Sequence, residues 1–454
     1  MAAYLSRTFG TATNQNRWTL SMWIKRGRQQ TGTEGFVEAR LFETDAGSPE
    51  GYFAISSDTT INFYNAHDGS NLSQLYTTRK FRDSTGWMHI CLREDTPNAT
   101  ADDRQQLWIN GVRETSFTHE NEITQNGTSR INAAVSHSIG VKNNGGPHKY
   151  FLGCMSHIVF VDGLSLAPTY FGEVDSASGI WKFKNPVVSE YGTNGFYILK
   201  NDNSGTDQSG KGNDWTTTGT ITPTKDSPSN NFCTLNPNLP YGAAGGLLIN
   251  GNTTMTQSST SLHQEGILGM EGGKYYWEIE ISENEGDFGV CENGRARQLA
   301  PTNNYPFYFV TNPGTTTTTI YNNPRSGSNS STFTGTSHEV GDVVQIAYDA
   351  DNGNLYYGKN GSWENSGDPT SGATGTGAVV TGIETQYGGV IVPFIGCKTA
   401  SSRTFECNFG NGYFGTTSHG QTNSDSASIG LFKYSVPTGY YALCTKNIKT
   451  QGGI

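Results

Sequence analysis

Charge is scarce in this chain, and long apolar runs are missing. Only 15% of its 454 residues are charged, with 30 Lys and Arg against 40 Asp and Glu, a net charge of −10. Binding to a phosphate backbone needs clustered Lys and Arg. The densest basic run, Lys25-Arg26-Gly27-Arg28, is short and sits at the end of a strand pattern. It reads as a solvated turn, so nucleic acid is not an expected partner. No apolar stretch approaches the ~20 residues of a membrane span, so membrane insertion is not expected either. The opening MAAYLSRTFGTATNQNRW has no basic stretch followed by an apolar core, the pattern of a signal peptide. Synthesis in a cytoplasm is the expectation.

Motifs for chemistry are also missing. The seven cysteines (91, 154, 233, 291, 397, 407 and 444) include no CxxC pair, which removes zinc-ribbon and thioredoxin-like readings. Their odd number and wide spacing suit a reducing site of synthesis. Cys91, Cys154 and Cys407 lie in apolar strand patterns and are expected as buried thiols. The nine His show no HExxH or HxH spacing, so no metal or other cofactor is expected. There is no GxSxG and no clear Ser/His/Asp grouping. Heptads, a Gly-X-Y repeat and Ala/Glu/Lys-rich stretches are missing, which excludes a coiled-coil or collagen-like shaft.

What is present is Gly (57 residues), Thr, Ser and Asn, with 11% aromatic residues. Gly and Asn supply the positive φ of tight turns, so short strands and many turns are expected. Trp18, Leu20, Met22 and Ile24 share one face of a strand, and Thr19, Ser21, Trp23 and Lys25 share the other. This reads as a strand with one buried side. Gly86–Arg93, Gln106–Val112 and Tyr150–Val161 follow as further strands, with Asn110-Gly111 as a tight turn. A second block repeats the order. Lys274–Ser282 opens it; Gly341–Asp349 and Asn354–Trp363 form a hairpin; Ile391–Gly396 and Thr404–Phe409 close it. No segment shows convincing 3.6-residue periodicity. The fold class read from this is all-β: two tandem antiparallel β-sandwiches joined by an irregular, aromatic-rich strap; the family resemblance given below implies that both are jelly rolls. The expected boundaries are 1–172, 173–240 for the strap, 241–415, and a C-terminal extension 416–454 packed on the body or on a partner.

Glycoside hydrolysis needs two carboxylates about 5–10 Å apart. Glu278 and Glu280 share a strand face, and are read as a solvated surface rather than as catalysts. Asp202, Asp207 and Asp214 are Gly-flanked but lack EF-hand spacing, so turn and cap roles are expected. No catalytic residue is assigned and no enzyme activity is expected. Recognition in a sandwich is carried by end loops. Tyr305, Phe307, Tyr321, Arg325 and Trp363 are the candidate ligand-binding residues, since aromatic rings stack on sugar faces.

The residues GKYYWEIEIS, GDVVQIAYDADNGNLYYGKNGSW, VPFIGC and FECNFG make the second block resemble a SPRY domain. WTLSMWIKR, FRDSTGWMHICLRED and LWINGV make the first resemble laminin-G/concanavalin-A-like jelly rolls. The strap segments DGLSLAPTYFGE, GIWKFK, YGTNGFY, DQSGKGNDW and DSPSNNFCTLNP, and the terminal VPTGYYALCTKNI, resemble structural proteins of tailed bacteriophages, especially marine ones. That resemblance implies a virion component of the tail-fibre, capsid-fibre or host-recognition type, made in the host bacterial cytoplasm. Its implied partners are other virion proteins, further copies of itself (a trimer is the guess from the family) and a host-surface glycan or receptor. A passive capsid decoration and, less favoured, a glycan depolymerase are the alternatives.

Overall fold

The computed structural model describes residues 3–27, 38–45, 50–67, 71–200, 204–238, 246–257, 262–294, 307–313, 317–322, 329–385, 388–397, 402–420 and 422–452. The chain forms two compact units, Met1–Pro223 and Thr224–Ile454. Of the segment expected as a strap, residues up to 223 therefore fold with the first unit and those from 224 with the second.

The first unit is a sandwich of two antiparallel sheets. One has eight strands, in the spatial order Phe117–Asn121, Asn71–Thr77, Ile61–His67, Gly51–Ser56, Glu38–Thr44, Ser136–Ile139, Tyr4–Thr8 and Thr216–Thr218. The other has six: Phe196–Ile198, Gly153–Asp162, Arg17–Arg26, Met88–Asp95, Gln105–Ile109 and Val112–Arg113. The alternation in the sequence decides which side chains enter the core. Trp18, Leu20, Met22 and Ile24 meet Phe42, Phe53, Phe63 and Phe160 between the sheets. The predicted turn at Asn110-Gly111 forms, with φ of 48° and 76°. A positive φ at both central residues is what a tight hairpin of this hand requires.

The strand Arg17–Arg26 was expected to bury one side and it buries both. Thr19, Ser21, Trp23 and Lys25 are each at most 2% exposed. The cover is the chain that follows the sandwich. Thr19 Oγ1 donates to the Leu164 carbonyl and accepts from the Leu166 amide, both at 2.8 Å. A two-stranded ribbon, Gly172–Val174 with Trp181–Phe183, sets Phe183 edge-on to Trp23. Phe171, Tyr191 and Tyr197 close a second cluster over Cys91, Val159 and Val161. Phe196 and Trp215 go further and enter the main core. The basic run is likewise no solvated turn. Arg26 is 7% exposed and its guanidinium donates to the Phe81 carbonyl, and burial lowers its pKa; Arg28 lies outside the described residues.

The second unit repeats this plan. One sheet runs Gly246–Ile249, Thr254–Gln257, Arg403–Asn408, Lys274–Ile281, Val343–Asp349, Asn354–Lys359 and Ser362–Trp363, with Tyr441–Ala442 added in parallel beside Tyr275 and Tyr276. The other runs Leu262–Glu265, Ile391–Cys397, Glu285–Glu292, Phe307–Pro313, Thr317–Asn322 and Asn329–Thr334. Trp277, Ile279, Phe288, Val344, Ile346 and Phe405 fill the space between them. Again a later segment covers the outer face: Phe432, Tyr440, Ala442 and Cys444 join Phe232 over Tyr276, Ala347 and Tyr356. One short helix, Thr445–Gln451, follows, although no helical periodicity marks it in the sequence. Seven residues hold fewer than two full turns, too few for a period to show.

Candidate functional site

The reading of Glu278 as solvated is overturned. Its carboxylate is 0% exposed. It accepts from the Lys433 and Tyr434 amides at 2.9 and 2.8 Å, from Tyr276 Oη at 2.9 Å and from Asn408 Nδ2 at 3.3 Å. Burial raises its pKa to about 7, opposed by those bonds. Two of these bonds hold the covering segment and two come from neighbouring strand residues, so the buried carboxylate is fully engaged and has no reach to a substrate. Asp207 and Asp214 take the expected turn roles. Asp207 accepts from the Tyr197, Ser209 and Asn213 amides, and Asp214 Oδ1 from the Asp207 amide. Asp202 lies outside the described residues. Cys91 and Cys407 are buried as expected and Cys154 is half-buried. No disulfide forms among the described residues.

Of the five candidate binding residues, Tyr305 and Arg325 lie outside the described residues. Phe307 stands opposite Cys291 at the start of its strand, and Tyr321 stands between Phe309 and Ser330. Both positions are out of phase with Tyr308, Val310 and Ile320, which belong to the core. Trp363 is on the other sheet, opposite Gly358. Its ring is half-buried and lies edge-on to Tyr276, with centroids 6.3 Å apart. The fold thus puts Phe307 and Tyr321 on adjacent strands and Trp363 elsewhere.

A different place has the geometry of a site. In the first unit Phe117–Asn121 and Val112–Arg113 are edge strands of the two sheets, and residues of both line one recess. The recess is open and has a volume of about 670 Å³. Glu120 and Asn121, which stand opposite Leu75 and Gln74, are both exposed residues at the rim of the recess. Asp102, Glu114 and Glu122 line the recess with Glu120. Glu114 is ion-paired with Arg79. Arg113 is taken by Asp103 at 2.7 Å and by the Asp102 carbonyl at 2.5 Å. Among the described residues no ion pair reaches the carboxylates of Asp102, Glu120 or Glu122. Partial burial, then the neighbouring Asp102, raises the pKa of Glu120; Glu122 is raised by the same two causes, including a hydrogen bond with Asp102.

Behind these groups lies Gln105, 7% exposed, on the inward face of its strand. Its amide nitrogen donates to Ser73 Oγ at 3.0 Å and to Glu94 Oε2 at 2.7 Å. Glu94 is fully buried, also accepts from Trp18 Nε1 at 3.0 Å, and is raised to about 8 by burial. The Gln105 carbonyl oxygen has no partner. Among the described residues no group of three or more His, Cys, Asp or Glu is placed to hold a metal ion. The sequence reading missed this recess. Its only trace is the acidic density of Ala101-Asp-Asp and Thr118-His-Glu-Asn-Glu122, which has no spacing rule of its own.

Comparison with known proteins follows the two units. Residues 3–164 match the family described as the concanavalin A-like lectin/glucanases superfamily, of the Laminin_G_3 type. Residues 274–412 match the SPRY domain. Similar solved structures include the SPRY domain of human HERC1, at 16% identity over 36% of this chain and 91% of that one, with a TM-score of 0.26. The TRIM65 PSpry domain is 12% identical over 38% of this chain and 90% of that one, with a TM-score of 0.29. A heptameric SAP-like pentraxin from Limulus polyphemus is 18% identical over 37% of this chain and 72% of that one, with a TM-score of 0.27. No curated protein matches. Both domain types are typically non-catalytic binding modules. The chain carries a concanavalin A-like domain followed by a SPRY domain.

Proposed function

We propose that this chain is a non-catalytic recognition protein of a tailed-phage particle, a compact appendage that contributes to binding the host surface. The observation that carries this reading is the pairing, in one chain, of two domain types that are often recognition modules. The phage assignment rests on the strap and terminal segments, whose sequences resemble phage structural proteins. Those same segments form the outer covers of the two sandwiches, so they are folded parts of the protein. Its partners in this reading are other virion proteins, further copies of itself and a host glycan or receptor; its location is the virion.

Mass spectrometry of purified virions tests the assignment, and a virion without this chain would end it. Adsorption separates the alternatives. Knock-out particles that adsorb normally would make the protein a passive capsid decoration. Release of reducing sugar from host polysaccharide by the purified chain would make it a depolymerase.

A further inference from the structure

The two-stranded ribbon that covers the first sandwich has both of its own edges open. Among the described residues, Gly172–Val174 and Trp181–Phe183 pair only with each other. The Asp175 amide donates to the Ile180 carbonyl at 2.8 Å, and the Lys184 amide to the Phe171 carbonyl at 3.3 Å. An antiparallel ladder alternates. Between those two rungs Glu173 and Lys182 therefore bond each other, and the backbone groups of Gly172, Val174, Trp181 and Phe183 point away from the ribbon. None of these four backbones bonds to another described residue. Open strand edges are templates for a further strand.

Apolar exposure gathers at the same place. Of the seven large apolar side chains exposed among the described residues, five lie within residues 164–187, with Val174 at 60%, Ile180 at 66% and Val187 at 77%. A sixth, Val112, follows Gly111, against which the Trp181 ring packs. Single scattered residues would need no partner, but a cluster around an open edge marks an interface.

We propose that this ribbon joins copies of the chain edge to edge, with Trp181–Phe183 of one copy pairing antiparallel with Gly172–Val174 of a second copy. The proposal rests on the reading of the chain as a protein that binds further copies of itself. Charge sets the register. Bonding Trp181 to Val174 of the second copy, and Phe183 to its Gly172, puts Lys182 directly opposite Glu173 of that copy. This repeats across the joint the ion pair that each ribbon holds internally at 3.5 Å, between two side chains that are both about half exposed. Pairing like strands in register would instead set Glu173 against Glu173 or Lys182 against Lys182, and like charges directly opposite repel. The joint is therefore head-to-tail, the kind that closes into a ring when its rotation allows.

Size-exclusion chromatography with light scattering on the full chain tests the joint. The unaltered chain is expected at a multiple of the single-chain mass. Val174→Pro removes one outward N–H and no bond inside the ribbon, a change that an edge strand accepts. It is expected to bring the chain to its single mass with the melting curve in place. Glu173→Lys and Lys182→Glu are each expected to weaken association by about ten-fold or more. An equimolar mixture of these two variants is expected to associate again, because each supplies the charge the other lacks while the pair inside each ribbon stays broken. If Val174→Pro does not fold, the mixture still decides. A single-chain mass for the unaltered chain, association that survives in folded Val174→Pro, or a mixture that associates no better than its parts would overturn the proposal. The wider reading is decided separately. A chain that associates through the ribbon but is missing from virions refutes the phage assignment and leaves this joint standing; a chain present in virions but of single mass in solution refutes the joint alone.

Discussion

The indole of Trp181 donates its Nε1 hydrogen to Nδ1 of His89 across 3.1 Å. An indole can only donate, so Nδ1 is the accepting nitrogen and the ring proton sits on Nε2, where Ser21 Oγ lies 2.9 Å away. The ring of Trp181 is held against the backbone on both sides. A Cβ at Gly172 would fall 2.4 Å from it, and one at Gly111 likewise. Gly172→Ala is therefore expected to push the indole out and destabilise the first unit by about 1–3 kcal/mol, as overpacking does. Thermal unfolding followed by tryptophan fluorescence checks this; an unchanged melting temperature would show that the ribbon is loosely held.

The same histidine predicts a pH effect. Burial pushes the pKa of His89 down to about 3, below its unfolded value near 6.5. Between those values the unfolded chain binds a proton that the folded chain refuses, so stability falls as pH drops through this window. His89→Gln removes this contribution. Relative to that variant, the unaltered protein is expected to lose about 1.5 kcal/mol between pH 6.5 and pH 5. Denaturant melts at the two pH values measure it, and parallel losses in both proteins would refute the assignment.

Glu278 ties the second sandwich to its cover. Glu278→Gln would turn an NH2 group toward the amide donors of Lys433 or Tyr434, leaving them unmet. A loss of about 1–3 kcal/mol is expected, the cost of buried groups without partners. Truncation after Gly415 should do more. It removes Phe432, Tyr440 and Leu443, all buried, each contributing about 1.5–3 kcal/mol. Against a typical domain stability of about 5–15 kcal/mol, the truncated chain is expected to lose most of its folded second unit. Soluble yield and circular dichroism would decide, and a stable truncated chain would show the cover to be dispensable.

Trp363 separates binding from packing. Half-buried against Tyr276, its ring makes fewer contacts than a core tryptophan. Trp363→Ala is expected to cost about 1–2 kcal/mol, well below the ~3–5 kcal/mol of a fully buried ring. If Trp363 contacts a receptor, adsorption should fall far more than this stability loss explains. A loss of the cooperative melt would instead make the residue part of the core.

Much of the fold could be read from residue order alone. The alternation of Trp18, Leu20, Met22 and Ile24 named the inward face of a strand, because successive side chains point to opposite sides. Asn110-Gly111 named a turn, because few other pairs accept positive φ at both positions. The outward faces could not be read this way. Thr19, Ser21 and Lys25 look like solvent-facing residues in the sequence, and so does Glu278.

What the sequence by itself determined is the central strands of each sandwich, their inner faces and the all-β class, since these depend on periods of two and on local turns. The tertiary structure decided what lies on each outer face. It buried Thr19 under Leu164 and Leu166, and Glu278 under Lys433 and Tyr434, partners 145 to 156 positions away. It also made the recess, by bringing residues of the edge strands Phe117–Asn121 and Val112–Arg113 to one place. No local pattern encodes which distant segment covers a face, or which edge strands come together, because both depend on chain segments meeting only after the sheets have formed.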